Sequence, residues 1–260
     1  MKITFFKSRY IYVTAILTSW LLSSCVDTRK ATYFNGMGDG NIITKIPVPE
    51  SVIHKNDLLS ISVTSPNPEA TAMFNTPNTS AMTGAGGLAS GYLVSSTGTI
   101  QFPSLGAIKA EGLTKDQLKD NIAKTLVSRQ LLLDPIVTVR FLNFRVTVLG
   151  EVNHPTVVNV PNEKISLLEA IGMAGDLTIY AKRDNVLVIR EENGETIIKR
   201  LNLNTNELLT SPYYYLRSDD VVYVEPNKAR IASSGRGKEW IPIVFSALSL
   251  AVIAVDRIRK

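Results

Sequence analysis

Residues 91–114, GYLVSSTGTIQFPSLGAIKAEGLT, contain the change of period on which the fold turns. The first part, YLVSSTGTIQFPSLG, reads as two short strands on either side of the turn residues Ser96, Thr97 and Gly98. The last residue opens a helix. In LTKDQLKDNIAKTL, Thr114 stands at a cap position with Gln117 three residues on, and Leu113 and Leu118 take the places of a hydrophobic staple. Leu118, Ile122 and Leu126 recur every four residues and form one apolar face.

The same grammar extends in both directions. Upstream, Leu59, Ile61 and Val63 alternate with Ser60, Ser62 and Thr64, the period of a half-buried strand, after a turn at Asn56-Asp57. Residues 75–91 show no strong apolar period and are expected to form a mobile surface loop; residues 35–49, rich in Gly, Asn and Pro, are expected to form a tether. Downstream, DPIVTVRF is a strand and FRVTVLGEV opens a second unit. There Ser166 and Glu169 repeat the capping box ahead of Leu167, Leu168 and Ile171, and Gly172, Gly175 and Asp176 end the short helix. NVLVIR and ETIIKR flank the turn signal Glu192-Asn193-Gly194, and DDVVYVEP supplies a last strand. Strands alternating with single helices predict two small α+β domains.

The chain begins as an exported protein does. Lys2, Lys7 and Arg9 precede an apolar run from Ile11 to Leu22, and small residues then lead to Cys25, the single cysteine in 260 residues. Leu22-Ser23-Ser24-Cys25 resembles the bacterial lipobox, so Cys25 is expected to carry lipid after removal of residues 1–24. Without that segment 25 basic side chains face 23 acidic ones, a formal +2. With no block of Lys and Arg, nucleic acid is not an expected partner.

Catalysis is not expected either. The two histidines, His54 and His154, lack metal-ligand spacing and a nucleophile partner. Asp219-Asp220 resembles a carboxylate pair, but neighbours on a strand point to opposite faces; the start of a strand after a turn explains them better. Tyr213, Tyr214 and Tyr215 read as packing residues with wet hydroxyls, sugar stacking being the alternative. No cofactor or metal is implied.

At the C-terminus Ile241 to Val255 carries no charge. As a helix those positions span roughly 22 Å. We expect a single C-terminal transmembrane helix over 239–260, with Trp240 at one interface and Arg257, Arg259 and Lys260 at the other. Ser246 and Ser249 fall on one weakly polar face, where they would line a lumen if several such helices formed a barrel.

IHKNDLLSISV, the 91–114 stretch, DPIVTVRF, RVTVLGEV, ISLLEAIGMAGDLT and SDDVVYVEP resemble, in this order, the Wza-type polysaccharide export proteins. The resemblance implies a signal peptide (1–24), a tether (25–47), a polysaccharide-export domain (48–142) and one β-grasp domain of the soluble-ligand-binding kind (143–226). A linker (227–238) and the C-terminal helix follow. It further implies an outer-membrane lipoprotein whose copies form a ring or channel exporting capsular polysaccharide or exopolysaccharide. An inner-membrane polysaccharide copolymerase would be its partner. The alternative is a scaffold or glycan-binding lipoprotein that forms no pore. Asn56, Thr156 and Asp176 stand where the family usually has Gly, and Thr156 puts the geometry of its turn in question.

Overall fold

The computed structural model describes residues 32–35, 38, 40, 48–77, 79–82, 88–192, 194–234 and 240–258. The first unit is built on a four-stranded sheet of order β2-β3-β1-β6, formed by β1 (Leu58–Thr64), β2 (Thr79–Met82), β3 (Leu88–Leu93) and β6 (Ile136–Phe141). The alternation read in β1 is real: Leu59 and Val63 are fully buried and Ile61 nearly so. In the antiparallel register these three lie opposite Phe141, Val137 and Val139, which are buried too. Helix α2 (Lys115–Ser128) covers this face, with Leu118, Ile122 and Leu126 fully buried and both halves of the Thr114–Gln117 capping box formed. A short helix α1 (Pro68–Ala72), capped by Asn67, lies between β1 and β2.

One expectation needs correction here. The expected loop over 75–91 contains paired structure, because Thr79–Met82 and Leu88–Leu93 form an antiparallel ladder from Thr79↔Gly91 to Met82↔Leu88. The two strands expected on either side of Ser96–Gly98 are both present. β3 joins β1, whereas β4 (Thr99–Phe102) pairs with β5 (Gly106–Lys109) across Pro103-Ser104-Leu105. Ser104 and Gly106 both take positive φ in that turn.

The second unit is a five-stranded sheet of order β11-β10-β13-β7-β8. Its strands are β7 (Arg145–Gly150), β8 (Thr156–Asn159), β10 (Ala181–Glu192), β11 (Glu195–Leu201) and β13 (Val221–Pro226). All pairs are antiparallel except β7 with β13. Helix α3 (Leu167–Met173) buries Leu167, Ala170 and Ile171 and carries the second complete capping box, Ser166 with Glu169. Strands β9 (Ile165–Ser166) and β12 (Tyr215–Leu216) form a small ladder beside it. Gly150 ends β7 at φ 95, and a Cβ there would stand 2.1 Å from the Val224 carbonyl oxygen, so only glycine lets β13 come this close. Asn56 and Asp176 adopt left-handed backbone at φ 66 and 69, as a glycine would, whereas Thr156 begins β8 with no positive φ. The buried apolar residues of both units form one continuous cluster.

Beyond β13 come α4 (Lys228–Ser234) and α5 (Trp240–Ile258). The apolar C-terminal run is helical, but the expectation of a transmembrane helix is overturned. Among the described residues no helix is long and apolar enough to cross a membrane. The uncharged stretch spans roughly 22 Å, short of a hydrocarbon core of ~30 Å, and the helix runs on into Asp256 and Arg257.

Candidate functional site

The two units meet at a junction sewn by a few polar side chains. Asn143, between β6 and β7, accepts the Leu58 N–H at 3.0 Å and donates to the Asn56 carbonyl at 3.3 Å. Glu163 lies in the β8–β9 loop at φ 56, with its side chain only 8% exposed. One carboxylate oxygen accepts the Phe141 N–H at 2.8 Å at the end of β6; the other pairs with Lys115 at the start of α2. Asp57 is buried in the turn before β1, where its carboxylate accepts the His54 N–H at 2.7 Å. Burial pushes its pKa up from 3.8 to about 6.

Asp219 and Asp220 take separate partners. Asp219, exposed and at φ 64, faces Arg145 at 2.9 Å. Asp220 is 1% exposed and grips Arg190 through two bonds of 2.9 and 2.6 Å, while accepting the Arg217 N–H at 2.8 Å. The Arg190 guanidinium lies 4.7 Å from the centre of the Tyr213 ring. Burial works against its charge, but the bonds and charge of Asp220 outweigh this and raise its pKa. Tyr214 and Tyr215 meet edge to face at 4.9 Å, and all three tyrosines are half-buried.

Next to Glu163 opens a cleft of about 460 Å³. Its walls come from the 159–165 segment, including Val160, Pro161, Lys164 and Ile165, and from Gly172 and Met173 on α3. Lys164 sits 4.9 Å above the Tyr215 ring. Glu169 also lines the cleft but is committed to its cap: its carboxylate accepts the Ser166 N–H at 2.7 Å and the hydroxyl at 2.8 Å. Those bonds hold its pKa below the usual range. The cleft therefore offers an apolar floor and one exposed cation, which suits binding and not proton transfer. Among the described residues no group of three His, Cys, Asp or Glu is placed to hold a metal. His154 packs against Gly175, and His54 belongs to the Asp57 turn.

One contact had no warning in the sequence beyond an aromatic pair in a polar stretch. Residues 32–35 dock on the second unit. Phe34 N–H donates to the Leu203 carbonyl at 3.1 Å, and the Tyr33 hydroxyl donates to Asp176. The guanidinium of Arg183, a residue only 7% exposed, lies 5.6 Å from the centre of the Tyr33 ring. Burial, reinforced by Asp176, raises the Tyr33 pKa.

Cys25, Arg259 and Lys260 lie outside the described residues. Trp240 and Arg257 are exposed at opposite ends of α5. The hydroxyls of Ser246 and Ser249 donate to their own helix, to the Pro242 carbonyl at 2.7 Å and the Phe245 carbonyl at 2.9 Å.

Comparison with known proteins gives this architecture a family. The model described as "Polysaccharide biosynthesis/export protein" matches residues 46–142, and the one described as "SLBB domain" matches residues 144–224. The chain is 31% identical over 141 residues to the EPS I polysaccharide export outer membrane protein EpsA of Ralstonia solanacearum, covering 53% of this chain and 37% of that one. It is 32% identical over 139 residues to the protein of the same name from Ralstonia nicotianae (strain ATCC BAA-1114 / GMI1000), covering 52% and 36%. The chain thus spans little more than a third of the length of these relatives. With an export domain followed directly by an SLBB domain, it belongs to the Wza-type polysaccharide export proteins.

Proposed function

We propose that this chain is an outer-membrane export protein, acylated at Cys25, whose identical copies assemble into a ring that passes a capsular polysaccharide or exopolysaccharide. The observation that carries the reading is the tandem of the export and SLBB domains, beside a similarity in sequence to relatives named as outer-membrane export proteins. Its role is transport, with binding surfaces in place of a catalytic centre, and an inner-membrane polysaccharide copolymerase is its expected partner. Acylation suits this role, because two or more acyl chains hold a protein stably at a membrane where one does not.

Two measurements test the proposal. Mass spectrometry of the mature N-terminus should find a lipidated Cys25; a bare thiol or a retained Met1 refutes acylation. Extraction in mild detergent, with mass measurement and imaging, should give a closed ring, and deletion of the gene should remove surface polymer. A monomer would return a scaffold, and normal surface polymer would end the export reading.

A further inference from the structure

We propose that the 131–136 loop of one copy seats in the cleft of the next, with Leu133 as its apolar anchor and Asp134 facing Lys164. The proposal rests on the ring reading above and names the surfaces that would close the ring. The loop is built to present side chains outward. Leu133 is 77% exposed, Ile136 68% and Leu131 39%. Between them Leu132 and Val137 are buried and fix the loop to the core. Its backbone is held by the Leu131 N–H on the Leu126 carbonyl at 3.0 Å and by positive φ at Gln130 and Asp134. Three large apolar side chains exposed within six residues form a patch of the kind that marks an interface.

The cleft complements this loop in polarity and charge. Its floor is apolar through Val160 and Ile165, and its walls carry Pro161 and the exposed Met173. Lys164 stands at the rim, exposed. Among the described residues neither Lys164 nor Asp134 forms a salt bridge within its own chain. A rim pair of this kind sets register more than strength. The strength would come from Leu133.

Topology excludes the loop of the same copy, and the proposed ring supplies the occupant as a second one. Lys115, the first residue of α2, pairs with Glu163 beside the cleft, whereas the last residue of α2 leads into the 131–136 loop. The helix separates the two patches by roughly 20 Å. A loop cannot fill its own cleft across that distance. Pairing of two different patches is heterologous, and repetition of such a contact closes into a ring or runs on as a filament.

The test uses the full chain in its membrane, carrying Asp134→Cys and Lys164→Cys together, treated with a short bis-maleimide. A ladder of covalent multimers rising one chain at a time is expected, with neither single variant giving one. Products that stop at the dimer overturn the proposal, since they report a twofold contact. If native protein is oligomeric and no linkage forms, the seating is wrong and the ring reading stands; if native protein is monomeric, both fall. Leu133→Asp keeps the question open to refutation should the double variant misfold. Because Leu133 is exposed, its melting should be unchanged while subunit association weakens by about tenfold or more. Unchanged association refutes the anchor. Asp134→Lys and Lys164→Glu should each weaken association by up to about fivefold, and together restore it; failure of the exchanged pair to recover rules out the contact.

Discussion

Asp57 places a carboxylate where water hardly reaches, and its effect on stability has a definite sign. Burial raises its pKa from 3.8 to about 6, so the folded state holds the proton more tightly than the unfolded chain. The resulting stabilisation is complete below about pH 4 and is lost as pH rises through about 6. Relative to Asp57→Asn, the wild type should therefore lose about 2 kcal/mol between pH 4 and pH 7. Urea unfolding of both proteins across that range measures it, and parallel curves would refute it. Asp220 matters to stability through its ion pair with Arg190, since both side chains are buried. Asp220→Ala leaves Arg190 buried and unpaired, and thermal or denaturant unfolding should show a loss of about 3–5 kcal/mol. Arg190→Met with Asp220→Leu should recover most of it. The sequence reads Asp219-Asp220 as the start of a strand after a turn; the strand begins one residue later, at Val221. The opposite fates of the two carboxylates were not legible, since Arg190 is 30 residues away and only folding brings it beneath Asp220.

At the scale of elements, local signals carried far. Both capping boxes lie within four residues, and both formed with the residues expected. Their energetic roles can be separated in α2: Thr114→Ala should cost about 1 kcal/mol, and Leu118→Ala about 2–5 kcal/mol, read from denaturant midpoints. Equal effects would mean that the helix is held by its cap and not by its buried face. What failed at this scale was pairing. The Thr79–Met82 strand has no hydrophobic period, and its ladder to β3 depends on β3 already lying against β1. The turn at Ser96–Gly98 joins two strands that each have another neighbour. In α5 the composition was read correctly as apolar and helical, but the length of the uncharged stretch decides against a span.

Across the whole molecule, the order of motifs made two α+β units legible, but the junction between them was not. In sequence Glu163 is an ordinary charged residue near Pro161 and Asn162. In the fold it satisfies a backbone N–H of β6 and the ammonium of Lys115 at once. Glu163→Ala removes both contacts and should loosen the coupling of the units. We expect calorimetry to resolve two unfolding transitions where the wild type shows one, with a loss of about 1–3 kcal/mol. A single transition in the variant would show that the shared apolar cluster alone couples them.

The docking of residues 32–35 determines how the molecule would bear a mechanical load. A pull from the N-terminal side first meets Tyr33 on Asp176 and Phe34 on Leu203. Tension applied there enters the second unit through those contacts. Were the protein held at Cys25 as proposed, the fluctuations of the membrane would be absorbed by the SLBB domain. The export domain, which would border the passage in the proposed ring, would lie off the line of force.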